Sequence, residues 1–256
     1  MMKKVWREKK KIPLLLLTAL LCQVIFGQET PKTAEGFIER GLEYFVQGNY
    51  DRAIADYSQA IKMNPKDANT YVKRGWTYMS KGDFNKAIAD FTQVIKLEPV
   101  NPDSYNFRAY AYTEKGDLDS AIADYTQIIK LYSEYALAYL NRGIVYGLKG
   151  SQDLALIDLN QALKLDPENP IAYLRRGNAY YMKNDFQKAI EDYTRAIALI
   201  PDLAEAYHDR GITYLYLRDY DKAIADFEKV LQFEPDNQSA RQYLERAAEE
   251  RNKRLM

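Results

Sequence analysis

The sequence predicts an all-α repeat solenoid, and three observations predict it. The first is a period of 34 residues. Steps of 34 from Gly41 reach Gly75, Ala109, Gly143, Gly177 and Gly211; steps from Ala53 reach Ala87, Ala121, Ala155, Ala189 and Ala223; steps from Pro65 reach Pro99, Ser133, Pro167, Pro201 and Pro235. The second is spacing inside the period. Tyr71, Arg74, Gly75 and Tyr78, then Ala87, Ile88, Phe91 and Ile95, recur at the three- and four-residue steps of amphipathic helices. The third is punctuation. Lys81-Gly82-Asp83 and Lys115-Gly116-Asp117 supply a glycine free to take positive φ at a helix end. Asn64-Pro65, Glu98-Pro99, Asp166-Pro167 and Glu234-Pro235 stop the second helix, because proline disfavours the α conformation in the residue before it. Helix pairs of this kind cannot bury their apolar faces alone and must stack.

Taken in order, the chain divides as follows. Residues 1–27 read as a signal peptide: Lys3, Lys4, Arg7, Lys9, Lys10 and Lys11 precede an apolar run from Ile12 to Phe26, and Gly27 offers a cleavage site. The run is short for a span of about 20 residues, and Pro13, Thr18 and Gln23 interrupt it; an uncleaved membrane anchor is the alternative. Cys22, the one cysteine, follows Leu21 rather than a small residue, which argues against lipidation. Cleavage would leave no cysteine, so packed helices rather than disulfides must supply stability. Residues 28–33 form a short linker. Six units follow, 34–67, 68–101, 102–135, 136–169, 170–203 and 204–237. Residues 238–256 read as a capping helix, with Ala240, Tyr243, Leu244 and Ala247 on one side and a basic end suited to a helix C-terminus.

Within the units, what is the same in every copy serves folding. Gly75 and Ala87 let two helices approach closely. Sixteen of the 22 tyrosines sit on shared repeat positions, so the aromatic content is mostly scaffold. Arg40, Arg74, Arg108, Arg142, Arg176 and Arg210 form one full set, and Asp56, Asp90, Asp124, Asp158, Asp192 and Asp226 another. Fixed offsets between them predict a ladder of charge-assisted hydrogen bonds between neighbouring helices. The middle of the array departs from the pattern at Ala109, Ser133, Gly147, Ser151, Gln152 and Leu159, and a different packing is expected at the third-to-fourth junction.

Tyr71-Val72-Lys73-Arg74-Gly75-Trp76-Thr77-Tyr78 and Gly82-Asp83-Phe84-Asn85-Lys86-Ala87-Ile88-Ala89-Asp90-Phe91, repeated six times between about Ala34 and Asn237, resemble the tetratricopeptide repeat. The resemblance implies a right-handed α-solenoid of antiparallel helix pairs with a concave groove for peptides or partner proteins, lined by the first helix of each unit. The matching positions that vary between copies include Trp76, Asn106, Tyr110, Asn141, Arg175, Asn178, Tyr181 and His208. Trp, Tyr and Arg are frequent interface hot spots, and Asn106, Asn141 and Asn178 could each hydrogen-bond a peptide backbone. Ile144, Met182, Asp209, Ile212 and Tyr216 belong to the same variable set. The carboxylate clamp of the chaperone-binding members is incomplete: Asn141 and Arg175 are present, but Tyr110 and Ile171 stand where an Asn and a Lys belong.

Several functions are excluded or disfavoured. One histidine rules out paired-histidine metal motifs, and no nucleophile elbow, phosphate loop or dinucleotide fingerprint occurs. No cofactor, metal or catalytic residue is expected. The chain carries 36 basic and 36 acidic residues; without residues 1–27 it would carry 30 against 35, a net of −5, which gives no footprint for nucleic acid. Asn237-Gln238-Ser239 matches the glycosylation pattern. The expectation is an exported, non-catalytic adaptor in the periplasm or cell envelope, with a protein or peptide partner. Membrane contact is expected only if the N-terminal segment stays uncleaved. The alternatives are glycan binding through Trp76, Tyr110 and Tyr181, and self-association into an array.

Overall fold

Thirteen α-helices and no strand make up the residues described by the computed structural model, 31–255. The segment read as a signal peptide, with Cys22, lies outside them. In the first compact unit, which ends at Pro65, α1 (Ala34–Val46) packs on α2 (Tyr50–Met63). The second unit, from Lys66 onward, holds α3 (Ala68–Ser80), α4 (Phe84–Leu97), α5 (Pro102–Lys115), α6 (Leu118–Leu131), α7 (Ala136–Leu148), α8 (Gln152–Leu165), α9 (Pro170–Met182), α10 (Phe186–Leu199), α11 (Ala204–Tyr216), α12 (Tyr220–Phe233) and α13 (Gln238–Leu255). Each helix of this unit packs on the next in sequence, first with second inside a pair, then second with first across the junction between pairs.

Sequence chemistry starts and stops these helices. Asp83, Asp117 and Asp219 cap the second helices, each accepting a backbone N–H three residues on. Asn101 and Asn169 cap α5 and α9, both of which begin with proline at their first position. Asn237 caps α13: its Oδ1 accepts from the Ala240 N–H at 2.9 Å and its Nδ2 donates to Glu234 at 2.9 Å. Glycosylation of that asparagine would remove a donor from the cap.

The expected departure at the third-to-fourth junction is absent from its turn. Tyr132 precedes Ser133 rather than proline, yet it adopts φ −139° and ψ 83°, against −131° and 68° for Glu98 and −134° and 86° for Asp166. The Tyr135 N–H donates to Tyr132 at 3.2 Å, as Asn101 does to Glu98 at 3.2 Å. The turn is held by its hydrogen bond, and proline only favours it.

The core is built from contact between small and large residues. A Cβ on Gly75 would lie 2.6 Å from the Phe91 ring, and one on Gly177 would lie 2.6 Å from Tyr193. Glycine therefore sets how closely the paired helices approach. Apolar clusters then bridge successive pairs in the second unit; Ala109, Tyr125, Ile128, Ala138 and Val145 form one. Leu215, Ala223, Phe227 and Ala247 form another, against which Tyr243 and Leu244 of α13 pack. The terminal helix thus covers an apolar face that would otherwise meet water.

Each arginine of the ladder binds the aspartate 16 residues later through two bonds. Arg40 holds Asp56 at 2.7 and 2.7 Å in the first unit. In the second, Arg74 holds Asp90 (2.9 and 2.7 Å), Arg108 holds Asp124 (2.8 and 2.7 Å) and Arg142 holds Asp158 (2.7 and 2.9 Å). Arg176 holds Asp192 (2.7 and 2.7 Å), and Arg210 holds Asp226 (2.9 and 2.8 Å). These carboxylates are buried. In four copies the remaining Nη1 donates backward to the second helix of the preceding pair: Arg108 to Thr92 (3.1 Å), Arg142 to Thr126 (2.9 Å), Arg176 to Asn160 (2.7 Å) and Arg210 to Thr194 (2.9 Å). Tyr173 and Tyr180 flank the Arg176 guanidinium at 5.5 and 6.0 Å, and the other copies in the second unit repeat this in whole or part. Arginines engaged on so many sides are structural, not a row of anion sites.

Burial pushes the Asp90, Asp124, Asp192 and Asp226 carboxyls above the ordinary range, and the paired guanidinium pulls each back. Hydrogen bonding to the aspartate holds Arg74, Arg108 and Arg176 above their usual value. The substitution Arg176→Met should therefore cost about 3–5 kcal/mol at neutral pH, the penalty of an unpaired buried charge. With its partner gone, the folded-state Asp192 carboxyl rises further, so the native state takes up a proton more readily than the unfolded chain. The deficit should shrink as pH falls through that raised value. Urea unfolding at pH 7 and pH 5 checks this, and an equal deficit at both would absolve Asp192. Arg176→Met combined with Asp192→Leu should recover most of the loss.

The turn between paired helices uses left-handed backbone in every pair. Gly48, Gly82, Gly116 and Gly150 have φ of 75°, 78°, 84° and 79°, and Asn184 and Arg218 take the same place at 61°. Asparagine tolerates this region, whereas arginine is strained there by roughly 1–2 kcal/mol. Arg218→Gly should raise stability by about 1 kcal/mol, and Asn184→Gly by less, as read from paired urea melts.

Candidate functional site

The first helices of successive pairs touch in the second unit, α7 with α9, α9 with α11 and α11 with α13. They form the tighter face of the stack, and the variable residues on them decide what that face can hold.

At α3 and α5 the face is filled by its own rings. Trp76 is half-buried, its ring 5.7 Å from Phe91, 5.6 Å from Phe107 and 5.6 Å from Tyr110. Phe91 is fully buried, so Trp76 belongs to the packing between the second and third pairs. Tyr110 remains 43% exposed at the rim, its hydroxyl pushed up by burial and by the Glu114 carboxylate. Asn106 and Asn141 bind each other, the Asn141 amide donating to Asn106 Oδ1 at 3.1 Å. Their free hydrogen-bonding capacity is reduced by that bond. His208 is engaged on both ring nitrogens, with Asp209 at 3.3 Å and Ser239 at 3.0 Å, and its ring meets Phe227 and Tyr243 edge-on.

Open space gathers farther along, on α7, α9 and α11. A cleft of about 400 Å³ is lined by Ile144, Gly147, Leu148, Ile171, Arg175, Asn178 and Met182, among others. A second, of about 210 Å³, is lined by Asn178, Tyr181, Met182, Tyr193, Asp209 and Ile212. The two share Asn178 and Met182 and so adjoin. The rims are apolar: Leu148 is 62% exposed and Met182 64%, with Tyr216 at 63% beyond them. Of the eight partner-binding positions expected from sequence, Arg175, Asn178 and Tyr181 come together here, and Trp76, Asn106, Tyr110, Asn141 and His208 lie elsewhere on the face.

Polar groups in the clefts are few and placed. Arg175 crosses from α9 to α11 and donates to Glu205 at 2.6 and 3.4 Å. With its amide oriented to satisfy both atoms, Asn178 donates to Asp209 at 3.1 Å and reaches the Tyr193 hydroxyl at 2.8 Å. Burial pushes the Tyr193 hydroxyl well above its ordinary value, and the Asp209 charge adds to this. Tyr181 is raised by burial first, with Tyr216, Tyr243 and Asp209 contributing. Gly147 is the position sequence reasoning marked only as atypical. The same place in the other five pairs holds Phe45, Met79, Thr113, Tyr181 and Leu215, and a side chain's absence is what opens the cleft.

The comparisons agree with this architecture. Models of the tetratricopeptide repeat match residues 177–248 and 72–136, and a further TPR repeat model matches residues 41–79 and 148–184. Together they take in most of the chain. The chain belongs to the tetratricopeptide repeat family. No curated protein matches it. Among solved structures, the Cut9–Hcn1 hetero-tetramer of the APC/C aligns with a TM-score of 0.67 at 18% identity, over 90% of this chain and 46% of that one. The chain thus spans less than half of that relative. PilW, a type IV pilus biogenesis factor, aligns with a TM-score of 0.70 at 18% identity, over 84% of this chain and 100% of its own. YrrB, described as a TPR protein with an unusual peptide-binding site, gives 0.54 at 21% identity, over 72% and 95%. These likenesses are of fold. The fold is that of a protein-interaction scaffold, and tetratricopeptide repeat proteins are generally non-catalytic. No helix among the described residues is long and apolar enough to cross a membrane, and no cluster among them has the makings of a metal site.

If Trp76 is scaffold and Tyr110 is rim, their alanine variants should differ. Trp76→Ala should lose about 2–4 kcal/mol of stability through the cavity it leaves, and Tyr110→Ala should stay within about 1 kcal/mol of the native protein. Thermal and urea melts of the two variants decide it.

Proposed function

We propose that this tetratricopeptide repeat protein is an exported, non-catalytic adaptor. Its concave face binds a peptide segment or partner protein and helps organise a complex at the cell envelope. The observation that carries the binding reading is the pair of adjoining clefts on α7, α9 and α11, with Leu148, Met182 and Tyr216 exposed at their rims. Exposed apolar side chains grouped around a cleft, with a few fixed polar groups, are what a partner's side chains displace water from. The export reading rests on the basic and apolar pattern of residues 1–27.

A photo-crosslinking residue tests the binding reading. Placed at Met182, at the cleft rim, it should trap a discrete partner in cells. Placed at Ile157, which is 63% exposed on α8, it should trap none. Tyr181→Ala with Ile144→Ser should abolish the adduct at 182. An adduct at 157 alone would move the partner to the opposite face. Mass measurement of the mature chain decides export, since cleavage after Gly27 predicts an N-terminus at Gln28.

A further inference from the structure

Gly147 has no structural reason to be glycine. It lies in the last turn of α7 and is absent from the residues with positive φ, so no backbone strain requires it. A Cβ added there would meet nothing within 4 Å, in contrast to Gly143 one turn earlier, where it would sit 2.9 Å from Leu159. Glycine weakens a helix relative to alanine by up to about 1 kcal/mol. The missing side chain leaves the floor of the larger cleft open between Ile144, Leu148, Ile171 and Met182. Those walls are apolar, and the opening suits a large apolar side chain from outside.

The adjoining cleft has a different character. Tyr181, Tyr193, Met182 and Ile212 surround Asp209, a carboxylate on its lining. The nearby Arg175 is already matched by Glu205. Among the described residues, the Asp209 carboxylate has no Lys or Arg within salt-bridge distance; its polar partners are His208 and the Asn178 amide. A carboxylate ringed by tyrosines favours a cation, through charge and through the ring faces.

Building on the adaptor reading above, we infer that the two clefts take one partner segment. It carries a leucine- or phenylalanine-sized side chain over Gly147 and a lysine or arginine against Asp209. The shared wall of Asn178 and Met182 places these two side chains within a few residues of each other in the segment.

A random dodecapeptide phage library panned on the purified chain tests this, with the selected sequences then synthesised and titrated by fluorescence anisotropy. The native protein should select peptides that pair a large apolar residue with a nearby basic one. Gly147→Leu fills the cleft and should weaken those peptides at least about tenfold without lowering the thermal midpoint. Leu148→Asp, at an exposed rim position, should do the same and serves if Gly147→Leu proves unstable. Asp209→Asn should weaken the lysine peptide severalfold and leave its norleucine analogue unchanged. Selected peptides that lack the basic residue, or that bind Gly147→Leu and Leu148→Asp as tightly as native, would overturn the cleft assignment. In that case the groove reading survives if Tyr110→Ala or Tyr181→Ala weakens them. No selection at all would count against both.

Discussion

The arginine–aspartate pair is the interaction on which the rest of the structure depends. Two hydrogen bonds from one planar guanidinium fix the register of the first helix against the second in all six pairs, because the fork admits one geometry. In four of those pairs the third donor of the same group reaches the second helix of the preceding pair. One side chain thereby determines both the geometry within a pair and the step between pairs. Apolar packing supplies the larger share of the driving force, but it is adaptable in direction. The buried carboxylate is not, since its desolvation is tolerable only while both guanidinium bonds are made.

That division explains what could be read from sequence. The ladder was legible at Arg142 and Asp158 because a residue present at the same offset in every copy must answer to something present in every copy. The same reasoning found the helix-pair turns at Gly82 and Gly116 and the apolar side of α13 at Ala240 and Ala247, both fully buried. It could not foresee that Thr92, Thr126, Asn160 and Thr194 receive the backward bond, because threonine and asparagine share that role without sharing a letter. Nor could it place Arg218 in left-handed backbone, where only comparison with Gly82 and its counterparts reveals the strain.

The site was harder to read for a related reason. Variation between copies marks a position as free of the common scaffold, but it does not say what the position touches. Trp76 varies and is nonetheless packed among Phe91, Phe107 and Tyr110. Asn106 and Asn141 vary and satisfy each other. These are private solutions to packing between one pair and the next. Arg175, Asn178 and Tyr181 also vary, and they line open space. The difference depends on which side chains lean toward one another across pairs, and no single-copy pattern contains it. Gly147 is the extreme case, where the informative feature is atoms that are missing.

A stack held together at its constant positions has a consequence for how its binding face can change. Stability in such an array resides in each pair and in nearest-neighbour contacts. Of the residues that carry both, Arg142, Asp158 and Thr126 line neither cleft, whereas Gly143 and the buried Leu159 pack against each other at the base of the larger one. Substitutions at the exposed rim, where Leu148 and Met182 stand mostly in solvent, therefore change the chemistry of that face at little cost to the fold. Substitutions at the ladder do the reverse. A chain built this way can change its exposed face one pair at a time while the frame beneath it stays fixed, because the ladder and the glycine contacts beneath that face are repeated pair by pair.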